Sequence, residues 1–199
     1  VLDPDSRPFV FTHVIPGMFT SAVSIFSAGN SFRWLRDVIC PDLVQEAQKT
    51  GEDVYHLMTQ LAQDSKPGAN SLLFNPSLAG GSSQEPSPDI RGAFSGLDLG
   101  HTRSDLIRSG MEGIALNLGA VLQVLKGFTT LSDEMVLVGG GSKSELWRQI
   151  FADVFGMDIV KTNIGEEAGS LGAAAIAAVG AGIWKDFSRV DQIHQVESL

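Results

Sequence analysis

The chain has a single cysteine, Cys40, among 199 residues, so no disulfide can form within it and a reducing, cytoplasmic setting is expected. Basic residues are also scarce. With 14 Lys and Arg against 23 Asp and Glu the net charge is −9, which argues against a nucleic-acid polymer as partner, because that binding relies on neutralising phosphates. A lone nucleotide held by backbone amides remains compatible with this charge. Long hydrophobic runs are missing too. The uncharged stretch Ala168 to Trp184 falls short of the ~20 strongly apolar residues that span a bilayer, and its Ala and Gly content reads instead as a buried helix in close contact with its neighbours. No membrane partner is expected.

Other absences exclude chemistry. His13, His56, His101 and His194 are scattered, with no H-x-x-x-H pair and no Cys partner, so no zinc site and no other protein-held metal is assigned. No G-x-S-x-G surrounds any serine, and Cys40, placed before Pro41 at a helix end, has no visible base, which leaves acyl transfer without support. Asp98 near His101 reads as a turn followed by a helix cap rather than as an acid–base pair. The chain also begins at Val1 with neither an initiator methionine nor a basic, signal-like start, and is expected to be a processed or truncated piece.

What is present is 43% hydrophobic residues with 19% charged ones, enough for one compact soluble unit. Residues 1–27 read as a β-hairpin leading in, with β-type residues around the turn signal Pro16-Gly17. A helix is expected from Asn30 to Ile39, stopped by Pro41, and another from Val54 to Ala62. Ser71 to Phe74 reads as a strand. The loop from Asn75 to Asp89, rich in Gly, Ser and Pro, is expected to be mobile in the isolated chain. Arg91 to Leu97 is another strand. Thr102 and Asp105 then mark the start of a long helix, along which Ile107, Met111, Ile114, Leu118, Val121, Leu125 and Phe128 form one buried stripe. Strand, turn, helix, strand and helix follow from Met135 onward, and the tail from Lys185 reads as peripheral. Alternating strands and helices predict an α/β layered domain.

The most informative stretch is Met135 to Glu145, an apolar run that breaks into Gly139, Gly140 and Gly141 and then into a helix start. Glycines at such a turn let a ligand approach the backbone, and the first free amides of the helix supply donors and partial positive charge. Ser142 and Glu145 stand in the S-x-x-E relation of a capping box. A side chain added at Gly141 is expected both to strain the turn and to fill ligand space. The triplet is neither G-x-G-x-x-G nor a G-x-x-x-x-G-K-[ST] phosphate loop, since Lys143 does not follow a glycine. Taken alone, a glycine triplet after a strand is as compatible with a helix-packing turn as with a nucleotide site.

Several phrases, in order along nearly the whole chain, resemble the C-terminal domain of FGGY-family carbohydrate kinases, most closely the xylulokinase branch. They are Ala28-Gly29-Asn30-Ser31-Phe32-Arg33-Trp34-Leu35-Arg36-Asp37, Arg91-Gly92-Ala93-Phe94-Ser95-Gly96-Leu97 with His101-Thr102-Arg103, Met111-Glu112-Gly113, Val138-Gly139-Gly140-Gly141-Ser142, and Glu167-Ala168-Gly169-Ser170-Leu171-Gly172-Ala173-Ala174. The resemblance implies an actin-like ATPase (ribonuclease H-like) fold with a mixed sheet flanked by helices, residues 1–199 forming the nucleotide-binding domain. It implies ATP with Mg²⁺, and a ketose or polyol, xylulose-like, held by an N-terminal domain that also carries the general base. That domain is not in this sequence, so no catalytic residue is assigned here and the chain alone is expected to be inactive.

By the same resemblance Gly140, Gly141 and Ser144 contact the nucleotide, with Gly29 and Arg33 forming a second set of contacts. Ser144 stands where related kinases often carry Asn, and Arg33 where glycerol kinases carry Gln; by residue type alone Arg33 reads as a solvated charge. The loop Ala79-Gly80-Gly81-Ser82-Ser83-Gln84-Glu85-Pro86 replaces the family's usual Gly-Glu-Arg followed by Pro. That departure favours the alternative of a non-catalytic, regulatory nucleotide-binding module. A purely structural or dimerising domain is the third reading, and a homodimer is compatible with all three.

Overall fold

The computed structural model describes residues 8–82, 85 and 87–198. The chain divides into two compact units rather than one: residues 1–10 with 21–130, and residues 11–20 with 131–199. Strands β1 (Phe9–Thr12) and β2 (Phe19–Ala22) pair as a two-stranded sheet, and in the turn between them Met18 N donates to Ile15 O. The first seven residues of the expected hairpin lead-in, together with Ser83, Gln84 and Pro86 of the altered loop, lie outside the described residues.

The first unit is built on helices α1 (Gly29–Ile39), α2 (Pro41–Thr50), α3 (Val54–Gln63) and α4 (Arg103–Lys126), with strands β3 (Leu73–Asn75) and β4 (Ala93–Ser95) antiparallel. Sequence reasoning took Pro41 as a stop and overlooked α2. Pro41 in fact opens that helix at its first position, where a missing N–H costs nothing and the fixed φ is already helical. The core gathers Phe32, Leu35, Met58, Leu72, Phe74, Ile107, Met111 and Ile114.

Two glycines let α4 pack by its backbone. A Cβ on Gly113 would stand 2.0 Å from Phe74 O, and one on Gly110 would stand 2.2 Å from a Leu35 methyl. Each mid-helix glycine costs about 1 kcal/mol against alanine, which this close approach offsets. The stripe along α4 is buried at Ile107, Met111, Ile114 and Val121 but only half-buried at Leu118 and Leu125.

Within this unit the described residues of the loop after β3 make several hydrogen bonds. Ser31 Oγ donates to Pro76 O at 2.6 Å, Ser27 Oγ accepts from Ala79 N at 2.9 Å, and Gly81 N donates to Pro88 O at 3.2 Å. Glu85 accepts from Ser82 N and Oγ, and Arg91 Nη1 donates to Pro88 O and Ile90 O. Gly80, Gly81 and Ser82 are buried.

The second unit carries a mixed three-stranded sheet in the order β5 (Glu134–Leu137), β6 (Asp158–Thr162), β7 (Val196–Ser198). β5 and β6 run parallel, Glu134 opposite Asp158 and Leu137 opposite Lys161, joined through helix α5 (Glu145–Phe155). Trp147, Phe151 and Phe155 stack along the buried face of α5 with ring centres 5.2 Å apart at each step. Gly156 ends that helix in the left-handed region at φ 62°.

The tail buries no described residue, as a peripheral segment would, yet after the short helix α7 (Ser188–Ile193) it adds a strand that was not expected: β7 pairs antiparallel with β6, and the Asn163 side chain bonds both Ile193 O and Gln195 N at 2.9 Å. One expectation fails in this unit. Helix α6 (Ala168–Gly180), expected to be buried, buries only Ala175. Its other residues are half-buried or exposed. Among the described residues no helix is long and apolar enough to cross a membrane.

Candidate functional site

The parallel pair β5 and β6 places two turns at one edge, because both strands end on the same side. Open α/β sheets bind ligands at that carboxyl edge. After β5 comes the glycine turn. Gly139 takes φ 86° and ψ −175°, a conformation open to glycine and strained for other residues, and residues Gly140–Lys143 follow as one 3-10 turn. After β6 comes a second 3-10 turn, Gly165–Glu167, which leads into α6. Gly139 N donates to Gly165 O at 3.2 Å and fastens the two turns together.

Within the glycine turn Ser142 is buried, and its Oγ donates back to Gly139 O at 2.7 Å while its carbonyl accepts from Arg148 Nη1 at 2.7 Å. Those bonds engage the Ser142 side chain in the turn, so the box expected with Glu145 is not made. Ser144 caps α5 instead, its Oγ accepting from Trp147 N at 3.2 Å. The Ser144 hydroxyl proton is still available to a ligand.

The backbone strain expected at Gly141 is absent. Its φ lies in the ordinary range, and a Cβ there would meet nothing within 4 Å. The residue that needs glycine for its conformation is Gly139; Gly141 leaves open space above the turn. Gly140 is exposed, and a Cβ on it would come no closer than 3.6 Å to Glu166 Oε1. The other carboxylate oxygen of Glu166, Oε2, pairs with Lys143 Nζ at 2.6 Å. Glu166 carries no motif. Its relation to the glycine turn comes from two turns meeting at a sheet edge, a signal the sequence does not spell.

Gly29 and Arg33 belong to the other unit. Gly29 opens α1, is exposed, and would meet nothing within 4 Å if given a Cβ. Arg33, one turn on, is exposed on the same helical face. The next arginine is engaged in the fold: Arg36 Nε donates to Asp37 at 2.7 Å and its Nη1 to the Tyr55 hydroxyl at 3.0 Å. The hydrogen bond from Arg36 leads the effects that hold the Asp37 carboxyl below its usual range, with a smaller contribution from the charge of Arg33.

The first unit also holds a polar knot that sequence reasoning read only as a helix cap. Asp105 is 2% exposed and accepts from Ser65 Oγ at 2.6 Å, Asn70 Nδ2 at 2.7 Å, Thr102 N at 2.7 Å and Thr102 Oγ1 at 2.8 Å. Burial pushes its carboxyl up, and the bonds from Ser65, Thr102 and Asn70 together outweigh that and bring it down to about 2. Nearby, Arg108 joins Glu112 at 2.8 Å and Ser65 O at 2.8 Å, and Glu112 accepts from Gly68 N. The knot pins Ala69, Asn70 and Ser71, three consecutive non-glycine residues with φ of 45°, 54° and 70°. Asp98 and His101 form a turn, with Gly100 N on Asp98 Oδ1 at 2.7 Å and Asp98 N on His101 Nδ1 at 3.0 Å. Among the described residues no group of three His, Cys, Asp or Glu side chains could hold a metal ion.

A parallel strand pair joined through a helix, with a glycine turn at its carboxyl edge, is an α/β arrangement. Residues 3–181 match the C-terminal domain of the FGGY family of carbohydrate kinases, so this chain belongs to that family and has its actin-like ATPase fold. A xylulose kinase of Staphylococcus epidermidis is 31% identical over 198 residues, covering 96% of this chain and 38% of that protein. A gluconokinase of Bacillus subtilis is 33% identical over 171 residues, covering 84% of this chain and 33% of that protein. The crystal structure of xylulose kinase from Rhodospirillum rubrum matches with a TM-score of 0.78 at 26% identity, over 100% of this chain and 38% of that one. The chain therefore spans less than two fifths of the length of these relatives.

Proposed function

We propose that residues 1–199 are the nucleotide-binding domain of an ATP-dependent sugar kinase. Gly140, Gly141 and Ser144 contact ATP at the glycine turn, and Gly29 and Arg33 provide the second set of contacts. The observation that carries this reading is the open space at Gly141, at the carboxyl edge of two parallel strands and beside the capped start of α5. A ligand can rest on the turn there without meeting a side chain.

In phosphoryl transfer most of the catalysis is positioning and charge stabilisation, and Mg²⁺, when bound, neutralises charge on the phosphates. This chain's share is to hold the nucleotide. The metal would be held through the phosphates and through residues outside the chain. The sugar and the general base are assigned to an N-terminal domain outside these residues, and the acceptor to a ketose or polyol hydroxyl. The name xylulose kinase on one relative favours a xylulose-like acceptor, and gluconokinase on another names a competing one. ATP, ADP and the sugar are the partners, in a cytoplasmic setting.

Two measurements test this. Calorimetric titration of the chain with MgATP should give saturable binding, and Gly141→Val should weaken it about a hundredfold, since a branched side chain fills the ligand's space. Because nothing stands within 4 Å of that Cβ and the φ is ordinary, the variant should melt with the parent. A folded variant that keeps full ATP affinity removes the turn from the site. The chain alone, given MgATP and a panel of pentoses, hexoses and polyols, should release no ADP in a sugar-dependent way; clear turnover on any sugar would overturn the division of roles.

One observation favours a second reading, a regulatory module that holds a nucleotide and phosphorylates nothing. The loop after β3 lacks the family's Gly-Glu-Arg, and Glu85 closes on Ser82 inside the loop. The whole protein, assayed on the same sugar panel, separates the two: phosphorylation of any one sugar rejects the module.

A further inference from the structure

We propose that Glu166 is a specificity-determining residue of the nucleotide site, accepting a hydroxyl of the ribose from a nucleotide laid over Gly140. The inference rests on the nucleotide reading above and adds a residue that no motif marks. Glu166 is brought to the glycine turn by the Gly139 N to Gly165 O bond between the two turns. Its Oε2 is taken by Lys143 at 2.6 Å, which leaves Oε1, the oxygen 3.6 Å from where a Cβ on Gly140 would stand, to accept from whatever passes over that glycine.

Gly140 has an ordinary φ, so its backbone does not require glycine. Its bare Cα matters for what can come near, and what comes near meets a carboxylate. A phosphate in that place would face a like charge, whereas a ribose hydroxyl is a donor and meets an acceptor. Carboxylates at the carboxyl edge of parallel strands read ribose hydroxyls in dinucleotide sites by the same chemistry. The ion pair to Lys143 does not lock Glu166 away. Its side chains are 59% and 50% exposed, and an exposed pair contributes at most about 1 kcal/mol, so Glu166 can shift toward a ligand at little cost. The nucleoside end of the nucleotide is thus directed to Gly140 and Glu166, with the polyphosphate pointing away.

The test compares MgATP with its 2′-deoxy and 3′-deoxy analogues, titrated calorimetrically into the 199-residue chain and its variants. The parent should bind ATP about tenfold more tightly than at least one analogue, the worth of one hydrogen bond to a charged acceptor. Glu166→Ala should bring ATP down to the affinity of that analogue, leave the analogue itself within twofold of its parent value, and leave the circular dichroism spectrum unchanged. If Glu166→Ala keeps the parent preference, or the parent shows none, while Gly141→Val still abolishes tight ATP binding, Glu166 has no such role and the nucleotide site stands. If the parent binds no ATP, or binds it with equal affinity after Gly141→Val, the site and the role of Glu166 fall together.

Discussion

Thr102-x-x-Asp105 and Ser142-x-x-Glu145 spell the same reciprocal cap at the starts of two helices, and only the first is made. At α4, Asp105 turns back on Thr102 and is drawn further into the protein by Ser65 and Asn70. Before α5, Ser142 bonds to Gly139 instead, one 3-10 turn intervenes, and Ser144 takes the cap. The difference lies in what precedes each helix. A backbone that has just passed a left-handed glycine can still tighten into a 3-10 turn, and the cap moves by two residues. Local signals fail where the chain serves something other than its own helix, and here that place is the proposed ligand turn.

The comparison breaks most severely at Asp105. Asp105→Ala should cost about 2–3 kcal/mol in urea or thermal unfolding, because it leaves the buried Ser65 hydroxyl, and with it the more exposed donors of Asn70 and Thr102, without their acceptor. It should also release the left-handed residues Ala69 to Ser71, seen as faster hydrogen exchange there. The pH dependence has a definite sign. Asp105 titrates at about 2 in the folded chain against 3.8 for an ordinary Asp, so its stabilisation is complete above about pH 4 and disappears as pH falls toward 2. Parent and variant should therefore converge in stability as acid is added; a gap that stays constant down to pH 2 would show that Asp105 acts by shape and not by charge.

The two starts also show what could be read from the residues. Helices α1, α3, α4 and α5 are legible because apolar period and caps are local statements. α2 was lost because a proline after a helix reads equally well as a stop or as a first residue. β7 was lost because three residues cannot display a period, and its pairing with β6 depends on Asn163 bonding across the loop. For the site, the glycine turn was legible and its inner working was not. Which glycine is left-handed, which serine caps and where Glu166 comes to rest depend on how two turns meet at a sheet edge.

A milder change sharpens the comparison at the second start. Ser144→Ala removes the acceptor for Trp147 N and should destabilise α5 by about 1 kcal/mol, the usual loss for an N-cap serine. In hydrogen exchange the Trp147 amide should lose about fivefold in protection, with amides of the first unit unchanged. Ser142→Ala in parallel should open the glycine turn and spare Trp147. If Ser142→Ala exposes Trp147 and Ser144→Ala does not, the cap has been placed on the wrong serine.

The smallest effect is expected at Glu145, and its smallness is the point. In a capping box Glu145 would hold the Ser142 amide, and its loss would cost about 1 kcal/mol together with the protection of that amide. In the structure Ser142 N donates to Gly139 O at 3.0 Å instead, and Glu145 is exposed in the first turn of α5. All that Glu145→Ala should remove is the favourable meeting of a carboxylate with the helix N-terminus, up to about 0.5 kcal/mol and shrinking as salt screens it. The corresponding acid of the other start, Asp105, should lose less of its cost in high salt, because its carboxylate is itself buried and its bond to Ser65 lies inside the protein. Exchange at the Ser142 amide decides the matter: unchanged protection in Glu145→Ala keeps the two starts different in kind, and lost protection would make them the same cap after all.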